Sequence, residues 1–357
     1  MTDATDTRTD GAAPRRRWRT PLTLAAVSGA LALLAVVGRS TLAHSLATFA
    51  HLDWRWLALG VIAEAGSMAA FARIQRRLLR AGGSTLHLSS IMAVTYAGNA
   101  LSVSLPLAGS EMATAFTFRQ FNRRGIDPAV AGWALAVSGI FSSLAFAVIL
   151  IGGSLASGSG TAAAVGFLGA TVSLVPTVTV LAALRFPRVR ASLNRLVVRL
   201  VGFSRRLVKR PGPGAEQALE RFLDRVARLR LPRVQYAEVL ALALWNWVAD
   251  CLCLAAAIRA TGAYVPWQGL FLAYGVGMTA GSIGLTPGGL GIIEATLSAA
   301  LVAAGITSHH ALAAVLVYRL ISFWLVMAGG WGVMGVLTRS AARPPVADQD
   351  RRGGDPG

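Results

Sequence analysis

Eight stretches of the chain are dominated by apolar residues, and most of the charged positions collect between them. Several stretches approach or exceed the roughly 20 residues that a helix needs to cross a bilayer. The pattern therefore predicts an all-α polytopic membrane protein. The apolar regions cover residues 22–38, 54–72, 89–118, 128–152, 161–184, 237–258, 268–304 and 311–337.

The first apolar region, 22–38, follows a basic flank and allows two interpretations. Such a flank before a short apolar run is typical of a secretory signal peptide, and Ala43 ends a weak cleavage motif. Because the rest of the chain is itself membranous, we predict a retained first helix instead.

Arginines in the connecting segments predict which side of the membrane each segment faces, because cytoplasmic loops are enriched in Lys and Arg. Basic clusters lie before residue 20, at 73–80, at 119–124 and after 339, and segment 185–235 has fourteen basic residues against three acids. We therefore predict a cell-membrane protein with both termini in the cytoplasm.

Two apolar regions, 89–118 and 268–304, conflict with this rule if each crosses the membrane once. The first has Pro106 at its centre and the second has Thr286–Gly289, residues that interrupt a helix. The conflict disappears if each region is a re-entrant hairpin that turns at this point, with the two hairpins entering from opposite faces. It also disappears if each region forms two short spans. The prediction is about six full spans plus two broken hairpins.

The two halves of the chain also resemble each other in sequence. "GIDPAVAGWALAVSGIFSS" from Gly125 is similar to "GITSHHALAAVLVYRLISF" from Gly305, at an offset of 180 residues. We predict an inverted repeat of helix, re-entrant hairpin and helix, a symmetry that places a transporter site at the repeat interface. Chance similarity between Ala/Gly-rich helices is the alternative.

This organisation divides the chain into five segments. A cytoplasmic tail, 1–20, precedes the first membrane half, 21–184, which contains hairpin 89–118. A basic cytoplasmic loop, 185–235, carries two predicted amphipathic helices, the first suited to an anionic lipid surface. The second membrane half, 236–338, contains hairpin 268–304, and a tail predicted to be disordered covers 339–357.

The break in the second hairpin, within "TPGGLGIIEA", has the features of an anion-binding site. Pro287, Gly288, Gly289 and Gly291 leave backbone amides accessible, and a helix starting near residue 290 directs its positive end at the break. We predict that these residues bind an anionic headgroup. Glu294, on the first turn, is either a stabilising N-terminal acid or a site for coupling or for a headgroup cation.

Other ionisable side chains lie within apolar regions, where charge is costly and by default marks a functional site. Arg319 either pairs with Glu294 or Asp250, or clamps a phosphate. Glu64 and Asp250 are either proton-coupling sites or hydrogen-bonded packing residues.

The first hairpin repeats the pattern of the second in a weaker form. Pro106, Gly109 and Glu111 form its break, and we assign them to the same headgroup site. Ser138 and Gly139 stand where the second half has Tyr318 and Arg319, so we do not expect the two hairpins to be equivalent.

Composition narrows the functional classes. The chain is 54% hydrophobic and has a formal net charge of +18, but no base-reading module accompanies the charge, so nucleic acid is not an expected partner. Cys251 and Cys253 are expected to be apolar core residues, because neither a disulfide nor a metal site is supported around them. No cofactor is expected, and no nucleophile–base constellation indicates an enzyme.

"TPGGLGIIEA", followed by "ALAAVLVYRLISFW", resembles the signature of the flippase-like membrane domain of lysylphosphatidylglycerol synthases and their stand-alone relatives. "LPLAGSEMATAF" resembles a shorter motif of that family, and the resemblance extends over roughly 54–337. It implies movement of an aminoacylated phospholipid between leaflets. The soluble synthase domain of two-domain members does not follow the last apolar region, so synthase activity is not expected.

These observations lead to one functional hypothesis and three rivals. We expect a transporter that moves an anionic phospholipid or a lipid-linked sugar between leaflets. The first rival is a non-transporting subunit that recruits a cytoplasmic glycosyltransferase or lipid-modifying enzyme through loop 185–235. The second is a small-anion transporter with the same topology, and the third is an enzyme that acts on lipid headgroups.

Overall fold

The structure, a computed structural model, describes residues 52–158, 160–185 and 233–341, and these residues form helices and turns without any strand. The predicted first helix at 22–38, almost all of loop 185–235 and nearly all of both tails lie outside the described residues. The α-helices are α1 Trp54–Ala81, α2 Leu88–Ser104, α3 Gly109–Arg123, α4 Pro128–Ala156, α5 Gly160–Arg185, α6 Arg233–Ala260, α7 Trp267–Gly281, α8 Ile292–Ala303, α9 Ser308–Arg319 and α10 Val326–Ala341.

Within the described residues, four helical runs are long and apolar enough to cross a membrane: Trp54–Ala81, Pro128–Ala156, Val234–Ala260 and Ser308–Arg339. Since α1 has 28 residues, it is about 42 Å long and exceeds a hydrocarbon core of about 30 Å. Local capping sets where the helices begin. Asp53 accepts a hydrogen bond from the Arg55 amide at 2.9 Å, and Asp127 accepts one from the Ala129 amide at 2.7 Å.

The two predicted broken regions form pairs of shorter helices. Helices α2 and α3 have 17 and 15 residues and are separated at 105–108, and α7 and α8 have 15 and 12 residues and are separated at 282–291. Both interruptions therefore lie where proline and glycine predicted them. The two interruptions also meet, because the Leu107 amide donates a hydrogen bond to the Gly284 carbonyl at 2.8 Å.

Helices α1 and α6 form the antiparallel centre of the bundle. The Asp53 amide, before α1, donates to the carbonyl of Ala260, the last residue of α6, at 3.1 Å. Asn246 of α6 donates to the side chain of Ser67 of α1 at 2.7 Å. Cys251 and Cys253 are buried free thiols in the apolar core, as expected.

Two groups of buried side chains fill the space between the helices. One surrounds the fully buried Tyr274 and Tyr318 and includes residues of α4, α6, α7, α8 and α9. The other contains Phe121, Trp133 and Leu78 and joins the ends of α1, α3 and α4. Tyr318 of the first group and Leu135, which packs against the second, also line a cavity that contains many polar side chains.

Candidate functional site

The second break is a short 3-10 turn, Pro287–Gly289, whose backbone requires glycine. Gly288, Gly289 and Gly291 have φ angles of 55°, 68° and 84°, a left-handed region that costs other residues about 1–2 kcal/mol each. A Cβ atom on Gly288 would also lie 2.0 Å from Cε2 of Phe323. The glycine run therefore produces both the turn and its close contact with the last transmembrane run.

Glu294 closes the N-terminus of α8, which begins at Ile292 rather than near residue 290. Its Oε2 atom accepts a hydrogen bond from the Gly291 amide at 2.6 Å. A carboxylate at this position satisfies a free amide and the positive end of the helix dipole. The helix terminus that was predicted to attract an anionic headgroup thus already has an intramolecular anion.

Arg319 joins the break to the last transmembrane run. Its Nε donates to Oε1 of Glu294 at 2.7 Å, and one terminal nitrogen donates to the Gly288 carbonyl at 2.7 Å. The guanidinium carbon lies 4.3 Å from the centre of the Phe323 ring. The side chains of Arg319 and Glu294 are only 8% and 17% exposed, so Glu294 is the partner of this buried cation.

A π-helical segment, Leu320–Leu325, follows Arg319 directly. Single turns of π-helix inside α-helices occur frequently at functional sites. Here the wider turn interrupts the α-helix between Arg319 and α10, and it contains the Phe323 ring that packs on the guanidinium. No proline or glycine lies within the segment, so the sequence offered no sign of it.

Asp250 of α6 and Glu64 of α1 are acids that line the same cavity. The hydroxyls of Tyr274 and Tyr318 donate to the two carboxylate oxygens of Asp250 at 2.6 and 2.9 Å. Glu64 is only 6% exposed, and its Oε2 is buried and makes no hydrogen bond with a described residue.

A cavity of about 520 Å³ lies between the α1–α6 pair, the two arms of the first hairpin, α4 and the second break. Gly288, Arg319, Glu64 and Asp250 contribute to its wall, whereas Glu294 is not among the residues that line it. Hydroxyl and amide side chains make up much of the remaining lining: Ser67, Gln75, Thr95, Asn99, Ser102, Ser110, Thr114, Thr117, Ser138, Ser142, Asn246 and Ser322. The cavity therefore offers hydrogen-bonding groups in the interior of an apolar bundle.

The first hairpin contributes differently from the second. Pro106 and Glu111 are exposed, and Glu111 accepts a hydrogen bond from the neighbouring Ser110 hydroxyl at 3.0 Å. Gly109 is buried, and a Cβ on it would lie 1.9 Å from the Ser102 carbonyl, so it allows α2 and α3 to approach closely. None of these three predicted residues lines the cavity, whereas Gly288 of the second break does.

Comparison with known proteins addresses the family. The curated proteins with which the chain was compared include no match. A family model described as the lysylphosphatidylglycerol synthase TM region matches residues 22–330. The match spans most of the chain and includes both hairpins and the residues around the cavity. The chain is thus a multi-pass membrane protein that belongs to the lysylphosphatidylglycerol synthase TM region family.

Proposed function

We propose that the protein moves a phospholipid or a lipid-linked glycan between the two leaflets of the membrane. The observation that carries this proposal is the cavity of about 520 Å³, which Gly288 of the second break lines together with residues of α1, α2, α3, α4 and α6. Polar side chains inside an apolar bundle cost free energy unless they bind a polar ligand or form hydrogen bonds with one another. The hydroxyl and amide lining suits the glycerol or sugar groups of a lipid headgroup.

The proposal includes an inverted repeat whose two hairpins are re-entrant. The longest hairpin arm, α2, has 17 residues and is about 26 Å long, shorter than a hydrocarbon core of about 30 Å. The hydrogen bond between Leu107 and Gly284 joins the two tips, which supports tips at membrane depth rather than at opposite surfaces. Hairpins entered from opposite faces then give one central site that opens alternately to each side.

Arg319 is the cation that we assign to the lipid headgroup. It lines the cavity, and among the described residues Glu294 and Gly288 engage two of its three guanidinium nitrogens. A phosphate in the cavity would approach the remaining nitrogen while Glu294 holds the guanidinium in place. The cavity wall does not include Pro287, Gly289, Gly291 or Glu294. We propose that these residues hold Gly288 and Arg319 in position.

We assign Glu64 and Asp250 to energy coupling. Both acids line the cavity, so a proton held by one of them would be released or taken up as a headgroup enters beside them. The expected result is lipid-dependent proton movement in proteoliposomes, lost in Glu64→Gln. Lipid transfer that proceeds at the same rate with and without a pH gradient, in both proteins, would contradict this assignment.

The test of transport is leaflet transfer of a fluorescent phospholipid in proteoliposomes. Asn99→Leu is the informative variant, because Asn99 lines the cavity and makes no hydrogen bond with the residues described. Asn122→Leu is its matched control, since Asn122 lies at the end of α3 and does not line the cavity. We expect transfer to be lost in the first variant and retained in the second.

Two different outcomes would replace the proposal. If both variants transfer lipid at the wild-type rate, while scrambling loop 185–235 abolishes the cellular function, the chain is a recruiting subunit. If the wild-type protein carries a soluble anion such as phosphate and leaves lipid in place, it is a small-anion transporter. Either result would also remove the assignment of Arg319 to a lipid.

A further inference from the structure

Four arginines lie on one face of α1 near its end. Arg73, Arg76, Arg77 and Arg80 are spaced by three, one and three residues, a spacing that aligns side chains along one side of an α-helix. The cavity-lining residues of α1, from Glu64 to Gln75, lie on the opposite side, about 170° away at 3.6 residues per turn. The arginine face therefore points away from the central cavity.

The arginines line a pocket of their own. A cavity of about 450 Å³ lies between them and α6, where Glu238, Ala241 and Leu242 complete the wall. Four guanidinium groups against one carboxylate leave an excess of three positive charges. Arg77 approaches Glu238 at 3.4 Å, and the remaining three arginines make no ion pair with any residue that the structure describes.

A buried donor at this contact also lacks a partner. Nε of Arg76 is buried and makes no hydrogen bond with the described part of the chain. Buried polar groups in native proteins are nearly always hydrogen-bonded, and those that are not need an explanation such as a ligand or water. The pocket thus has an excess of positive charge and an unpartnered buried donor, Nε of Arg76, both of which suit an anion.

An apolar strip leads from this pocket towards the middle of α6. Val234, Ala241 and Trp245 share the face of α6 on which Glu238 lies, since they are separated by seven and four residues. Val234 is 74% exposed and Trp245 is 52% exposed. An anion with attached acyl chains would therefore find an apolar surface directly beside the arginines.

We propose that this pocket is a second binding site, for the headgroup of an anionic phospholipid that carries at least two phosphates. A single phosphate would neutralise only part of the excess charge, and arginine binds phosphate oxygens through paired donors. Basic pockets between transmembrane helices are suited to such headgroups. The site shares no lining residue with the central cavity, so it does not depend on the transport proposed there.

The test is binding of fluorescently labelled cardiolipin to the purified full chain in phosphatidylcholine nanodiscs. The variant is Arg73→Gln/Arg76→Gln, which leaves the Arg77–Glu238 pair in place. Its control is Arg119→Gln/Arg123→Gln, which removes the same charge from α3 at the same end of the bundle. Removing two arginines should weaken binding about thirtyfold, and the control should change it less than about threefold.

Three results would overturn the proposal. Equal weakening in the two variants would show attraction by general surface charge. Binding of single-phosphate phosphatidylglycerol as tight as that of cardiolipin would remove the two-phosphate assignment. Saturable binding of inorganic pyrophosphate to the wild-type protein without preference for cardiolipin would make it a site for a soluble anion. Melting temperatures within a few degrees of the wild type establish that both variants are folded.

Discussion

Replacement of Arg319 by methionine should destabilise the folded bundle by about 3–5 kcal/mol, because it leaves Glu294 as a buried charge without its partner. The ion pair has a separation of 2.7 Å, and the two side chains are 8% and 17% exposed, so solvent screens it little. The Gly288 carbonyl also loses its donor. Methionine keeps much of the apolar stem, which limits the cavity that the replacement creates.

A double-mutant cycle separates the ion pair from these other losses. Glu294→Gln leaves the guanidinium unpaired and should cost a similar amount, about 3–5 kcal/mol. In the double variant no buried charge is left alone, so its cost should fall below the sum of the two single costs. If each single variant costs about 4 kcal/mol and the double variant costs about 5 kcal/mol, the coupling free energy between the two side chains is about 3 kcal/mol.

The measurement is unfolding of the purified protein in mixed micelles as the fraction of denaturing detergent increases. Arg259→Met is a matched control, because Arg259 packs on Trp56 and Tyr264 and makes no ion pair with a described residue. It should cost about 1 kcal/mol. A coupling free energy below about 0.5 kcal/mol between Arg319 and Glu294 would refute the ion pair as a stabilising element of the site.

The same unfolding measurement checks three more substitutions. Gly288→Ala should lower the free energy of unfolding by at least about 2 kcal/mol more than Gly291→Ala does. Both glycines have a positive φ, but only a Cβ on Gly288 would clash with Phe323. Equal losses for the two variants would contradict this contact. Gly109→Ala should destabilise the protein by more than about 2 kcal/mol, since the new Cβ would lie 1.9 Å from a backbone carbonyl oxygen. Gly152→Ala is its control and should be neutral or stabilising, because a Cβ on this residue of α4 would contact nothing. Asp250→Asn should cost about 1–3 kcal/mol because the amide group of asparagine offers one acceptor oxygen to the two tyrosine hydroxyls, and Tyr318→Phe in that background should add little.

Much of the architecture follows from the sequence because its causes are local. Apolar length determines which segments cross the membrane, and proline and glycine determine where the segments break. The breaks near Pro106 and at 286–289 were therefore predictable. The pairing of Arg319 with Glu294 was predictable as one of two options, since a cation at membrane depth needs a nearby acid.

The tertiary structure alone decided which polar groups share one site. Asp250 and the two tyrosines that donate to it come from three separate helices, and Glu64 of a fourth helix lines the same cavity as Asp250. Their placement depends on how those helices rotate and cross. Nothing in the sequence pattern singled out Tyr274 or indicated that Glu111 would stay outside the cavity. Helix rotation results from many weak packing contacts over the whole bundle, and no short sequence pattern contains that sum.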